Sequence, residues 1–220
     1  QLGAQPHLTA HLEMHKTQVG KVPVEHLALD ATYENAVRQL QVTAAVVQSA
    51  GYSAKARGAV SWTATGQQLT LDELVIRLAE HSWRAVAPIE VSRDGQALRL
   101  TRLRLAHADE ALELSGAFDG ARFQDVRLHA GQIDLTFLRH LVPLPDFVQG
   151  RAAWQMHLSG PLAAPVLALE LTLWPAPQQP RPFDQLHMTL VYAQQQLQSE
   201  VRVRQANREV LTVETRLPIE

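Results

Sequence analysis

Three histidines, His7, His11 and His15, recur every fourth residue near the start of the chain. Imidazole nitrogens are good ligands for zinc-like ions. On a helix this spacing would line one face and bring two of them to one ion. On a strand they also share a face, but four residues span about 13 Å, too far for a single ion. Leu8, Ala10, Leu12 and Met14 alternate with the polar residues here, which fits a strand. In His11-Leu12-Glu13-Met14-His15 the glutamate stands one residue away from its place in the His-Glu-x-x-His zinc-protease pattern. The other histidines are scattered singly. No metal site is expected, and no cofactor.

Other chemistry is scarce. The eight serines, among them Ser49, Ser115 and Ser159, form no Gly-x-Ser-x-Gly elbow. The 11 glycines form neither a dinucleotide fingerprint nor a phosphate loop. Zero cysteines exclude a thiolate nucleophile, a disulfide framework and any cysteine-based metal centre. The pairs Asp72/Glu73 and Asp109/Glu110 sit beside turn-like sequence and read as solvated caps. The chain is not expected to be an enzyme.

The 220 residues carry 20 basic and 22 acidic side chains, a formal net charge of −2. That balance argues against a nucleic-acid partner, which calls for a basic patch. The longest uncharged stretch, Ala152 to Leu169, is broken by Gln155, His157, Gly160, Pro161 and Pro165, so it is no membrane-spanning helix. The start lacks an initiator Met and a basic segment leading into an apolar one. It reads as an internal piece of a longer protein, with any anchor or export signal outside it.

What must position any site is a series of strands. Apolar and polar residues alternate over runs of five to nine, the mark of half-buried strand. Such runs include Leu27 to Tyr33, Leu40 to Val46, Tyr52 to Trp62 with a bend at Gly58, and 83–118 with turns at Asp94-Gly95 and Asp109-Glu110. They resume at Leu186 to Tyr192, Leu197 to Arg204 and Val210 to Leu217. Leu74, Ile76 and Leu78 favour strand over helix. One short helix is expected near 134–142, capped by Asp134 and stopped by Pro143. The proline-rich run Trp174 to Pro182 is expected to be a loop or hinge, because each proline removes an amide donor. Some 15 or 16 strands result, about 75 Å of sheet at about 4.8 Å per strand. An open sheet of that size must close, fold over or form a solenoid.

The segment Val148 to Leu169, with its Leu158-Ser159-Gly160-Pro161-Leu162-Ala163-Ala164-Pro165 turn, resembles the recurring unit of the TamB and AsmA-like proteins. The Leu144-Pro145 pair and the helix before it are similar to the element that precedes that unit. The run 83–118, ending in Leu112-Glu113-Leu114-Ser115-Gly116-Ala117-Phe118, and the closing Leu217-Pro218-Ile219 are similar to it too. The resemblance covers 60–220 well and 1–59 weakly. It leaves TamB and other AsmA-like members undistinguished.

The resemblance implies an all-β fold: a long antiparallel sheet curled into a U-shaped β-taco with an apolar groove, one elongated module over 1–220. It implies a periplasmic segment of a protein anchored in the inner membrane of a Gram-negative bacterium. There it would carry phospholipid acyl chains between inner and outer membrane. Its other partners would be flanking segments of the same chain and an outer-membrane assembly partner. The candidate groove residues are Trp83, Leu98, Leu100, Leu103, Leu105, Leu112, Leu114, Val126, Leu128, Trp154, Met156, Leu158, Leu167 and Leu169. Parity alone does not separate a groove from an ordinary packed core. Two rivals stay open: a scaffold that pairs with nascent outer-membrane strands, and a structural β-solenoid. The solenoid is disfavoured by only two asparagines and no fixed period.

Overall fold

A computed structural model describes residues 7–19, 22–34, 39–48, 52–62, 65–78, 80–138, 149–176 and 183–219. It is all-β. Fifteen strands form one antiparallel sheet whose order follows the chain, apart from one split position. The chain divides into two compact units, Gln1–His107 and Ala108–Glu220. Among the described residues no helix is long and apolar enough to cross a membrane.

The first unit holds β1 (His7–Val19), β2 (Val22–Glu34), β3 (Gln39–Gln48), β4 (Tyr52–Trp62), β5 (Gly66–Leu78), β6 (His81–Ala85), β7 (Ile89–Asp94) and β8 (Ala97–His107). Many of these residues, Ala, Leu, Gln and Arg among them, are good helix formers taken singly. Alternation overrides that preference. With a period of two, only a strand gathers the apolar side chains on one face. The split position lies between β5 and β8. There β6 pairs with the C-terminal half of β5 and β7 with its N-terminal half. Pro88 stands in the gap between β6 and β7 and has no amide to give to a ladder. Gly95, at φ 57°, makes the tight turn where Asp94 pairs with Ala97.

The second unit holds β9 (Glu110–Phe118), β10 (Arg122–Asp134), one four-residue helical turn α1 (Leu135–Leu138), β11 (Gly150–Pro161), β12 (Val166–Pro175), β13 (Gln185–Ala193), β14 (Gln196–Gln205) and β15 (Arg208–Pro218). Of the helix expected over 134–142, the described residues show the four-residue turn α1, with the Thr136 amide donating to the Asp134 carboxylate at 2.7 Å. Residues 139–148 lie outside those described. The expected loop at 174–182 needs a correction at its start: Trp174 and Pro175 end β12, paired with Arg151 and Gly150. Pro175 has no amide to donate, and the next amide, that of Ala176, donates to the Gln149 carbonyl at 3.2 Å. Residues 177–182 lie outside those described.

Bulges hold the apolar side chains together, three of them in β5 and β10. In β5, Leu71 pairs with Gly58 and Glu73 with Arg57, leaving Asp72 as an extra residue. Leu69 and Leu71 therefore share a face with Leu74 and Ile76, despite opposite parity. In β10 the pairing with β11 steps from Phe123/Gly160 to Val126/Leu158, then from Ala130/Trp154 to Ile133/Ala152. Each step inserts one residue, and each contains a left-handed one, Asp125 (φ 50°) and Gln132 (φ 60°). Insertion of one residue restores the face when sequence parity slips.

Few apolar side chains are fully buried among the described residues. In the first unit they are Val24, Trp83, Ile89 and Leu105; in the second, Ala130, Ile133, Leu135 and Ala152. The second set surrounds the end of β10. There the buried Glu110 carboxylate accepts a hydrogen bond from the Asp134 amide at 2.7 Å. Ile133, 2 % exposed, fills the middle of this small core, whereas Leu211 on β15 is 51 % exposed. Ile133→Ala should therefore cost about 2–5 kcal/mol in urea unfolding, and Leu211→Ala within about 0.5 kcal/mol. Equal losses at the two positions would contradict this placement of the core.

Candidate functional site

The register of the second unit lines its apolar residues up into rows that run across the strands. One row reads Val126, Leu158, Leu167, Tyr192, Leu197, Leu217 from β10 to β15. The next reads Leu114, Leu128, Met156, Leu169, Leu190, ending in Ser199 and Thr215. A third reads Leu112, Ala130, Trp154, Leu171, Met188, Val201, Val213. Beyond the second bulge of β10 a fourth continues with Ile133, Ala152, Leu173, Leu186, Val203, Leu211. All four rows share one face.

The first unit is built the same way. Leu8, Tyr33, Leu40, Val60, Leu69, Val91 and Leu100 form one row from β1 to β8. Met14, Leu27, Val46, Ala54, Ile76 and Trp83 form another. Leu98 and Leu100 pair with β7, while Leu105 pairs with Ala85 of β6, two residues along from Trp83. The apolar parity of β8 thus changes between its two halves to follow its two partners.

Of the residues expected to line a groove, Trp83 and Leu105 are buried and Leu98 is exposed. Leu100, Leu103, Leu112, Leu114, Val126, Leu128, Trp154, Met156, Leu158, Leu167 and Leu169 are all half-buried. Those from Leu112 onward come together on the single face of the second unit. The same face also takes in Leu171, Leu173, Leu186, Met188, Leu190, Val201 and Val203, which the sequence marks as strand residues but not as site residues. Their strict alternation was the available signal. Half-burial leaves each such side chain about half of the 1.5–3 kcal/mol that full burial provides.

The opposite face is polar. A hollow of about 620 Å³ is lined by Arg127, His129, Gln155, His157, Glu170 and Thr189 together with Leu128, Met156, Leu169 and Leu190. Asp125 accepts from Arg127 Nε and from His157 Nε2, each at 2.9 Å. The Arg127 hydrogen bond, first, holds the Asp125 carboxyl below its ordinary range. In the first unit Lys55 and Arg57 flank Glu73 at 3.6 and 3.9 Å. These side chains are solvated and each such pair is worth little.

The polar face of the β1–β2 ribbon carries a denser group. His11 stands opposite Asp30, and His15 opposite His26, with Glu13 between the two pairs. His11 Nδ1 lies 2.6 Å from Asp30 Oδ1 and His26 Nε2 2.9 Å from Glu13 Oε1. The Asp30 hydrogen bond, then its charge, raises the His11 pKa above the ordinary 6.5. The His26 hydrogen bond, then the charge of His15, lowers that of Glu13 below 4.5. The His11 contribution to folding is complete below pH 6.5 and fades as pH rises through the raised value. The Glu13 contribution is present above pH 4.5 and fades as pH falls through the lowered one. These groups therefore hold β1 to β2 best between the two. An NMR titration should place the His11 midpoint above 6.5, and Asp30→Asn should bring it back. A wild-type midpoint at or below 6.5 would contradict the pairing.

Compared with known proteins, the chain matches no family model, no curated protein and no solved structure.

Proposed function

We propose that the apolar face of the second unit binds phospholipid acyl chains, and that the protein is a segment of a lipid conduit of the TamB and AsmA-like kind. The observation that carries this reading is the apolar face of β9 to β15, most of whose side chains from Leu112 to Val203 are half-buried rather than buried. Six inter-strand steps of about 4.8 Å give it a width of about 29 Å. An acyl chain reaches across half of a hydrocarbon core, about 15 Å, so it fits along a row with room to slide. Each CH₂ taken out of water contributes about 0.8 kcal/mol. Rows of similar side chains give a sliding chain a nearly level energy surface. Curling the sheet into a U would shelter that chain while its head group stayed in solvent. The reading needs no catalytic residue and no cofactor. It places the chain in the periplasm, tethered to the inner membrane through a longer protein.

A second reading has its own observation. Every described residue of β15 is exposed, including Val210, Leu211, Val213 and Leu217. A strand at the end of the sheet order offers unpaired backbone groups, so an outer-membrane strand, or a flanking segment of the same chain, could add to it.

Native mass spectrometry of the purified chain, followed by solvent extraction, tests the first reading. Phospholipid should co-purify near one per chain. Met156→Asp and Leu169→Asp should each reduce it at least ten-fold, and Gln155→Glu on the polar face should leave it unchanged, with circular dichroism confirming strand in all three. A lipid-free chain that takes up nothing from phosphatidylethanolamine vesicles would overturn it. Slowed amide exchange confined to β15 on adding a strand peptide would favour the second.

A further inference from the structure

The geometry points to a zinc-class divalent metal site on the polar face of the β1–β2 ribbon, with Glu13, His15 and His26 as ligands. It does not depend on the lipid reading. The ligand atoms of these three residues all lie within 4.8 Å of one another. Glu13 Oε1 is 2.9 Å from His26 Nε2 and 3.3 Å from His15 Nε2. Zinc bonds of about 2.0–2.1 Å in a tetrahedral site put neighbouring donor atoms about 3.3 Å apart. The donors are thus already near ligand spacing, and a small opening of the Glu13–His26 contact admits an ion.

Strand pairing creates the site. Along β1 alone the histidines are too far apart for one ion. Across the ribbon, His15 faces His26 directly, their ring centroids 4.9 Å apart, and Glu13 lies one pleat away on the same face. His11 extends the group. Its Nδ1 is held by Asp30, and its Nε2 is 3.9 Å from Glu13 Oε2. A histidine with one nitrogen on a carboxylate and the other turned to the centre has the outer-sphere arrangement that orients metal-bound imidazoles. His11 therefore braces Glu13 from the outer sphere, and water takes the fourth position. Two imidazoles with one carboxylate suit Zn²⁺, with Cu²⁺ binding more tightly still. Side-chain exposure of 65 % at His15 and 49 % at Glu13 gives the ion direct access from solvent. Bound there, it would staple β1, the first strand of the sheet order, to β2.

Isothermal titration of the untagged chain with zinc chloride near neutral pH should give one ion per chain. His15→Ala, His26→Ala and Glu13→Gln should each weaken binding more than about ten-fold, and His129→Ala on β10 should not. Amide exchange in β1 should slow when zinc is added to the wild type and not to His26→Ala. Absence of zinc binding would overturn the proposal. So would binding that His15→Ala and His26→Ala leave unchanged while circular dichroism shows both variants folded.

Discussion

The fold depends on keeping apolar side chains on one face of long strands. Strands of nine to 13 residues carry most of the ladder. A one-residue slip of register would turn a strand's whole apolar set to the wrong side. The chain answers with inserted residues. Asp72 in β5 and the left-handed Asp125 and Gln132 in β10 each absorb one residue where parity fails. Gly58 serves the same end. A Cβ there would press against the Leu71 backbone, whose Cα would be only 2.8 Å away, so glycine lets β4 and β5 close up beside the bulge.

That device gives each unit two faces of different character, with few fully buried apolar side chains among the described residues. Hydrophobic attraction acts between neighbours within each apolar face, row against row. Among the described residues burial is complete at only a few apolar side chains, Trp83 and Ile133 among them. A face of this kind gains most when something apolar lies on it, and an acyl chain supplies uniform apolar surface with no polar group to satisfy. The polar face can meanwhile hold charge, and at β1–β2 it gathers three imidazoles around one carboxylate. The two faces serve different chemistry without competing for the same side chains.

Much of the strand pattern was legible in the sequence because period two is a local signal. Glu200-Val201-Arg202-Val203-Arg204 reads correctly by itself, and Asp94-Gly95 announces its own turn. Pairing is not local, and what depends on it was hidden. The odd parity of Phe123 and Ile133 looks like noise until β11 shows where the extra residues fall. The group at β1–β2 was half visible: His11, Glu13 and His15 stood out, but His26 and Asp30 join them only through the ladder. Spacing along one strand argues against a site made of β1 histidines alone. It contains no information about the strand opposite. The helix expected after Asp134 rested on leucine spacing and a cap; the cap contact is present, and the described residues show one turn, Leu135–Leu138.

The most direct measurement of the central claim is photocrosslinking with a phospholipid carrying a diazirine on its acyl chain, mapped residue by residue by mass spectrometry. If the apolar face carries acyl chains, labels fall on alternate residues of β10 to β13, at Leu128, Met156, Leu169 and Leu190. They spare the intervening Arg127, His157, Ala168 and Val191, which point the other way. Labels spread equally over both parities, or no labelling of these strands at all, would contradict it.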